Sequence, residues 1–160
     1  MSRYFSFTQR PCCCSAACVK IALQRRGYLV DELVVAKALG TRVTSKDACD
    51  CKGLSVNDND PGLNIDEFES KSAQAYFAQF GLVAKVYKTS QITDFKEFIE
   101  NNLADCDVIV NIHHAPFNNG KNWGHFVLLD EFKDGAVTIC DPAIDAPKCW
   151  QTSLDLLKQP

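Results

Sequence analysis

The chain has 160 residues, of which 46% are hydrophobic and 23% charged, and a formal net charge of −3. That is enough material for one folded α+β domain with a real core, here taken as residues 1–160. It offers no basic footprint for nucleic acid, no polybasic patch for a lipid surface and no apolar run of membrane-spanning length.

Residues 1–8 mix aromatic and polar side chains and read as a lead-in along the surface. Pro11 shapes the approach to an apolar segment, residues 16–23, that reads as a buried helix. Positions 14, 17, 18, 21 and 22 share one helical face, Lys20 and Gln24 share another, and Gly27 is its stop. Residues 31–39 predict a second helix, capped by Asp31 and ended by Gly40. Residues 41–62 are rich in Asp, Asn, Ser and Gly and read as a long surface loop. A calcium loop beginning at Asn57 fails, because Pro61 occupies a ligand position and Phe68 stands where the closing glutamate belongs. A third helix is predicted over 63–80 with Asn64 as cap, then a strand over 82–87 and an amphipathic helix over 94–103.

The composition then shifts to strands at 108–112, 125–130 and 136–140, the last two joined by an Asp134-Gly135 turn, and a short helix over 153–158. Helices first and antiparallel strands second is the α+β order.

Nine cysteines, at 12, 13, 14, 18, 49, 51, 106, 140 and 149, would leave one thiol over in a full disulfide framework. The first residues lack the apolar core of a secretory signal, so a reducing cytoplasm and free thiols are expected. Cys106, Cys140 and Cys149 read as small core residues. A thiol at the start of the first helix faces unpaired backbone N–H groups and the positive end of the helix dipole, which favour its thiolate. His125 opens one strand and Asp141 closes the next, so a hairpin can bring imidazole and carboxylate together as a base and its orienter. Alternatively, His125 is a strand-end histidine and Asp141 a turn residue before Pro142.

Cys14-Ser15-Ala16-Ala17-Cys18-Val19, with Leu23 and Gly27, resembles the nucleophile helix of papain-like cysteine peptidases, most closely the bacteriocin-leader (double-glycine) peptidases. Gly124-His125-Phe126-Val127-Leu128-Leu129 and Ile139-Cys140-Asp141-Pro142 are similar to that group's histidine strand and Asp-Pro step. The chain is also similar to phytochelatin synthase, best over its latter half, through Thr8-Gln9-Arg10-Pro11, Val108-Ile109-Val110-Asn111-Ile112-His113, Gly124-His125-Phe126, and Asp141 with Pro147 and Trp150.

The resemblance implies a papain-like fold, with the nucleophile on the helical part and His and Asp on the sheet. It implies Cys14 as nucleophile, His125 as proton carrier, Asp141 as orienter and Gln9 as oxyanion donor beside the Cys14 N–H. Cys13 is the competing nucleophile. The expected substrate is a peptide, leader peptide or γ-glutamyl peptide such as glutathione, with no cofactor and no resident metal. Two other readings are a catalytically silent peptide-binding module and a metal-thiolate-binding domain using the 12–14 cluster, Cys18, Cys49, Cys51, His113 and His114. Trp123 is a candidate cleft wall.

Overall fold

Apolar residues surround the first helix on nearly every side, and that makes it the centre of the N-terminal half. The computed structural model describes residues 2–113 and 124–157, His113 by its backbone alone. In it, α1 (Cys14–Arg25) buries Ala16, Ala17, Cys18, Ile21 and Leu23, and apart from Cys14 at its start only the side carrying Lys20, Gln24 and Arg25 is partly open. It stops at Gly27, whose φ of 89° is left-handed. The second helix, α2 (Glu32–Leu39), starts where Asp31 Oδ1 accepts the Leu33 N–H at 2.8 Å and ends at left-handed Gly40. Both helices match their sequence signals.

Three expectations in the next stretch are corrected. The 41–62 loop contains a parallel pair, β1 (Arg42–Val43) with β2 (Ser55–Val56), and it buries Cys51 in the core. The single helix over 63–80 is two elements, a 3-10 turn (Ile65–Glu69) and α3 (Lys71–Ala78). Ser70 breaks them apart: its ψ of 153° is extended, and its hydroxyl accepts the Ala73 N–H as the cap of α3. Residues 82–87 form no strand. Their backbone groups bond to side chains instead: Gln74 donates to Ala84 O at 2.8 Å, and Glu69 Oε1 accepts the Val86 N–H at 2.8 Å.

Beyond α4 (Phe95–Asp105), capped by Asp94, comes an antiparallel sheet in the order β3-β4-β5-β6. Its strands are β3 (Val108–His113), β4 (Gly124–Lys133), β5 (Ala136–Cys140) and β6 (Cys149–Ser153). The turn at Asp134-Gly135 has φ of 52° and 80°, the left-handed pair that a two-residue hairpin needs. The strand β6 has no counterpart in the sequence reading. A short α5 (Leu154–Leu157) follows it. The molecule is therefore α+β, with helices preceding an antiparallel sheet.

Strand β4 ties the two halves together. Phe126 and Leu128 pack with α1, α2 and α3 in one apolar cluster. Val127 and Leu129 pack with Phe95, Ile99 and Leu154 in another. Alternate residues of one strand thus serve two cores, which is why residues 126–129 are apolar without a break. Burying a leucine such as Leu128, fully enclosed here, stabilises by about 2–3 kcal/mol. The N-terminal lead-in is also anchored: Tyr4 is buried and its hydroxyl donates to Asp107 at 2.9 Å. All nine thiols are free, and Cys106 and Cys149 are exposed rather than in the core. Among the described residues, no helix is long and apolar enough to cross a membrane.

Candidate active site

The turn that delivers Cys14 is built by Arg10-Pro11-Cys12-Cys13. Its Cys13 N–H closes onto Arg10 O at 3.1 Å, and Cys12 holds φ at 60°, a left-handed conformation that costs a non-glycine residue on the order of 1 kcal/mol. Buried Glu32 braces it, accepting the Arg10 N–H at 3.0 Å and pairing with the Arg10 guanidinium at 3.4 Å. Burial pushes the Glu32 carboxyl up despite these partners. The turn sends the two neighbouring cysteines in different directions. Cys13 is fully buried and shares a hydrogen bond with the Cys51 thiol; burial first, then Cys51 and Glu32, push its thiol far up. Cys14, the first residue of α1, is half-buried, and its backbone N–H has no acceptor inside the helix.

Helix α1 is locked to the sheet one turn further on. The Cys18 thiol donates to the Phe126 carbonyl at 3.3 Å. One helical turn back is Cys14, and one strand residue back is His125. Cys14 and His125 do share a hydrogen bond.

On its other side, His125 Nε2 lies 2.7 Å from Asp141 Oδ1, which leaves Nδ1 as the ring nitrogen for the thiol. Leu128 pairs with Cys140, so Asp141, the next residue, lies diagonally across from His125. Both side chains are buried, at 7% and 5% exposure. Burial works against a charged imidazole, but the hydrogen bonds to Asp141 and Cys14 and their negative charges outweigh it and raise the His125 pKa to about 9. Asp141 is likewise disfavoured as an anion by burial, yet His125, the Ala143 N–H and Trp150 hold its carboxyl below the usual range. Its Oδ1 accepts the Ala143 N–H at 2.8 Å and its Oδ2 accepts the Trp150 indole N–H at 3.0 Å.

Three of the four predicted residues thus meet as Cys14, His125 and Asp141. Gln9 is anchored nearby through its backbone N–H, which donates to Pro142 O at 2.8 Å, while its buried side-chain Oε1 has no partner among the described residues. Asn111 rests its amide over Gly124, where an added Cβ would lie 2.6 Å from Asn111 Oδ1. His114 and Trp123 lie outside the described residues. Among the described residues no three His, Cys, Asp or Glu side chains converge to hold a metal.

Trp150 entered the sequence reading only as part of a resemblance, without a role; the structure sets its indole N–H on Asp141. Its only local signal was the alternating Trp150-Gln151-Thr152 stretch, which is compatible with a strand.

The arrangement can transfer a proton from a thiol to a buried imidazole whose charged form is stabilised from behind. No family model matches the chain, and no curated protein matches it.

Proposed function

We propose that the chain is a papain-like cysteine-dependent amide hydrolase or acyl transferase acting on peptide or γ-glutamyl-peptide bonds. The observation that carries the reading is the buried imidazole of His125, bonded at Nε2 to Asp141 and flanked on its other side by Cys14. In the first step the Cys14 thiol gives its proton to His125 Nδ1 and its sulfur attacks the substrate carbonyl carbon. The carbonyl oxygen takes the negative charge and is met by the Cys14 N–H and the Gln9 side-chain amide; losing one such donor costs on the order of a hundredfold in rate. As the tetrahedral centre collapses, the C–N bond breaks and His125 protonates the departing amine. This leaves an acyl thioester on Cys14. Water, or a second amine in a transfer, attacks the thioester while His125 takes its proton, and the thiol is released. Asp141 keeps Nε2 protonated so that Nδ1 is the basic nitrogen throughout.

The test is intact-mass spectrometry of the full chain, acid-quenched after incubation with glutathione and with glycine-ended peptides. The expected result is an acyl adduct on Cys14 with release of the amine product, absent from Cys14→Ala. No adduct and no released amine with either substrate, together with Cys14 alkylation no faster than that of exposed Cys49, would overturn the proposal.

A further inference from the structure

We propose that Trp150 is a positioning residue: its indole N–H fixes the Asp141 carboxylate in the one orientation that serves His125. The inference rests on the reading of Cys14, His125 and Asp141 as one machinery, and deepens it.

A buried carboxylate needs donors for both of its oxygens. Asp141 is 4% exposed and has two oxygens to satisfy. Oδ1 is shared by His125 Nε2 at 2.7 Å and the Ala143 N–H at 2.8 Å. Oδ2 receives the Trp150 N–H at 3.0 Å. With that donor gone, rotation about the Cβ–Cγ bond is opposed on one side only, and a buried anionic oxygen loses its hydrogen bond. Trp150 is itself held from behind. It pairs with Ile139 across β5 and β6 and packs against the cluster containing Val137, Ile139 and Leu154. The donor is thus set by the sheet and the apolar core rather than by a loop. The strand β6, exposed along much of its length, gains through this residue a link to the thiol three side chains away.

The other groups facing Asp141 do not compete for this role. From β4 comes His125, from α1 the Cys18 thiol, and from β5 the Cys140 thiol. Burial keeps Cys18 neutral and pushes Cys140 up to about 11. Lys148 donates its ammonium to the Ala143 carbonyl and so braces the Asp141 loop from outside.

The experiment follows iodoacetamide alkylation of Cys14 at peptide resolution in wild type, Trp150→Phe, Asp141→Asn and the double variant. Leu154→Ala serves as a packing comparator from the same cluster. Phenylalanine keeps an aromatic ring and removes the donor. Loss of one hydrogen bond to a charged group predicts about tenfold slower labelling in Trp150→Phe. If Trp150 acts through Asp141, adding Trp150→Phe to Asp141→Asn costs nothing further or restores some rate. Leu154→Ala is expected to lower the melting temperature and leave labelling within about twofold. Labelling of Trp150→Phe within twofold of wild type, or a tenfold loss that persists in the Asp141→Asn background, refutes the inference. His125→Ala labelling at the wild-type rate would instead sink the underlying reading of the site. Should Trp150→Phe fail to fold, the wild-type indole N–H resonance of Trp150, assigned with Trp123→Phe, must shift on Asp141→Asn; an unmoved resonance refutes the inference.

Discussion

Replacing Asp141 by asparagine tests the site most directly, because the structure says why an almost isosteric change should be severe. Three N–H donors converge on this carboxylate: His125 Nε2, Ala143 N and Trp150 Nε1. Asparagine supplies one acceptor oxygen and one NH2 group. With the oxygen facing His125 and Ala143, the NH2 points at the indole N–H. With the oxygen facing Trp150, the NH2 points at Ala143 N and at Nε2. The imidazole must then carry its proton on Nδ1, the nitrogen that should take the thiol's proton. In either orientation the negative charge behind the imidazolium is gone, while the burial that opposes that charge remains. The His125 pKa then falls from about 9 toward its ordinary 6.5, with the Cys14 hydrogen bond left to oppose burial. That difference is worth about 3 kcal/mol, or on the order of a hundredfold in the balance between a thiolate–imidazolium pair and its neutral form. The assay is the iodoacetamide rate of Cys14 at pH 7, resolved by peptide mass spectrometry, with exposed Cys49, Cys106 and Cys149 as references in the same sample. In wild type the advantage of Cys14 over Cys49 should hold through neutral pH and fade above about pH 9, as the imidazolium loses its proton. In Asp141→Asn it should drop about a hundredfold at pH 7 while the reference thiols are unchanged. A drop of less than threefold would refute the reasoning.

Two further outcomes follow from the surroundings. Asp107 accepts from Tyr4 at 2.9 Å and from Arg25 and Arg26 at 2.6 Å each. Burial pushes its carboxyl up, but these hydrogen bonds prevail and hold it below the ordinary 3.8. Asp107→Asn is expected to cost about 2–3 kcal/mol at pH 7, a fall of roughly 5–10 °C in melting temperature by calorimetry. A depressed folded-state pKa gives stability that is present above the unfolded value and lost as pH falls through the folded one, so the gap to wild type should narrow below about pH 4. A gap constant from pH 7 to 3.5 would contradict this account. At Gly124 an added methyl must displace the Asn111 amide. Gly124→Ala should therefore lower the melting temperature by a few degrees, about 1 kcal/mol, and Asn111→Ala should restore it in the double variant. No recovery in the double variant would place the strain elsewhere.

What the sequence made legible was what local chemistry decides. Asp31 and Gly40 bracket α2 because a cap and a left-handed glycine are local devices. Asp134-Gly135 marks its hairpin for the same reason. Ser70 was ambiguous in the sequence: a serine inside an apolar-periodic stretch can sit mid-helix or cap a new one, and here its extended backbone and its hydroxyl on the Ala73 N–H make it a cap. Residues 82–87 alternate as a strand would, but a strand needs a partner edge, and what lies alongside is the amide of Gln74 and the carboxylate of Glu69. The converse holds for β6. Its side chains are exposed or half-exposed along its length, so it shows little hydrophobic pattern, yet β5 offers it an edge.

The site follows the same division, and β4 shows why its non-local part is nonetheless firmly specified. His125 and Asp141 could be matched from sequence because a hairpin's spacing fixes which residues come near each other. Nothing local tells Cys14 from Cys13. That choice belongs to the turn at Cys12 and to the pocket around Cys51, which draws one thiol inward and leaves the next at the helix start. Once α1 is docked, the position of His125 is set by its neighbours rather than by its own contacts. Phe126 and Leu128 are needed in one core, and Val127 and Leu129 in the other. A slip of one residue along β4 would exchange the two sets and bring Phe126 out of the α1 side, where its carbonyl meets Cys18. The energy of several fully buried side chains, each worth about 2–3 kcal/mol, thus stands behind the placement of a single imidazole. A candidate site held this way can keep a buried imidazole and carboxylate in register without any dedicated scaffold, since the packing that folds the chain also aims the histidine.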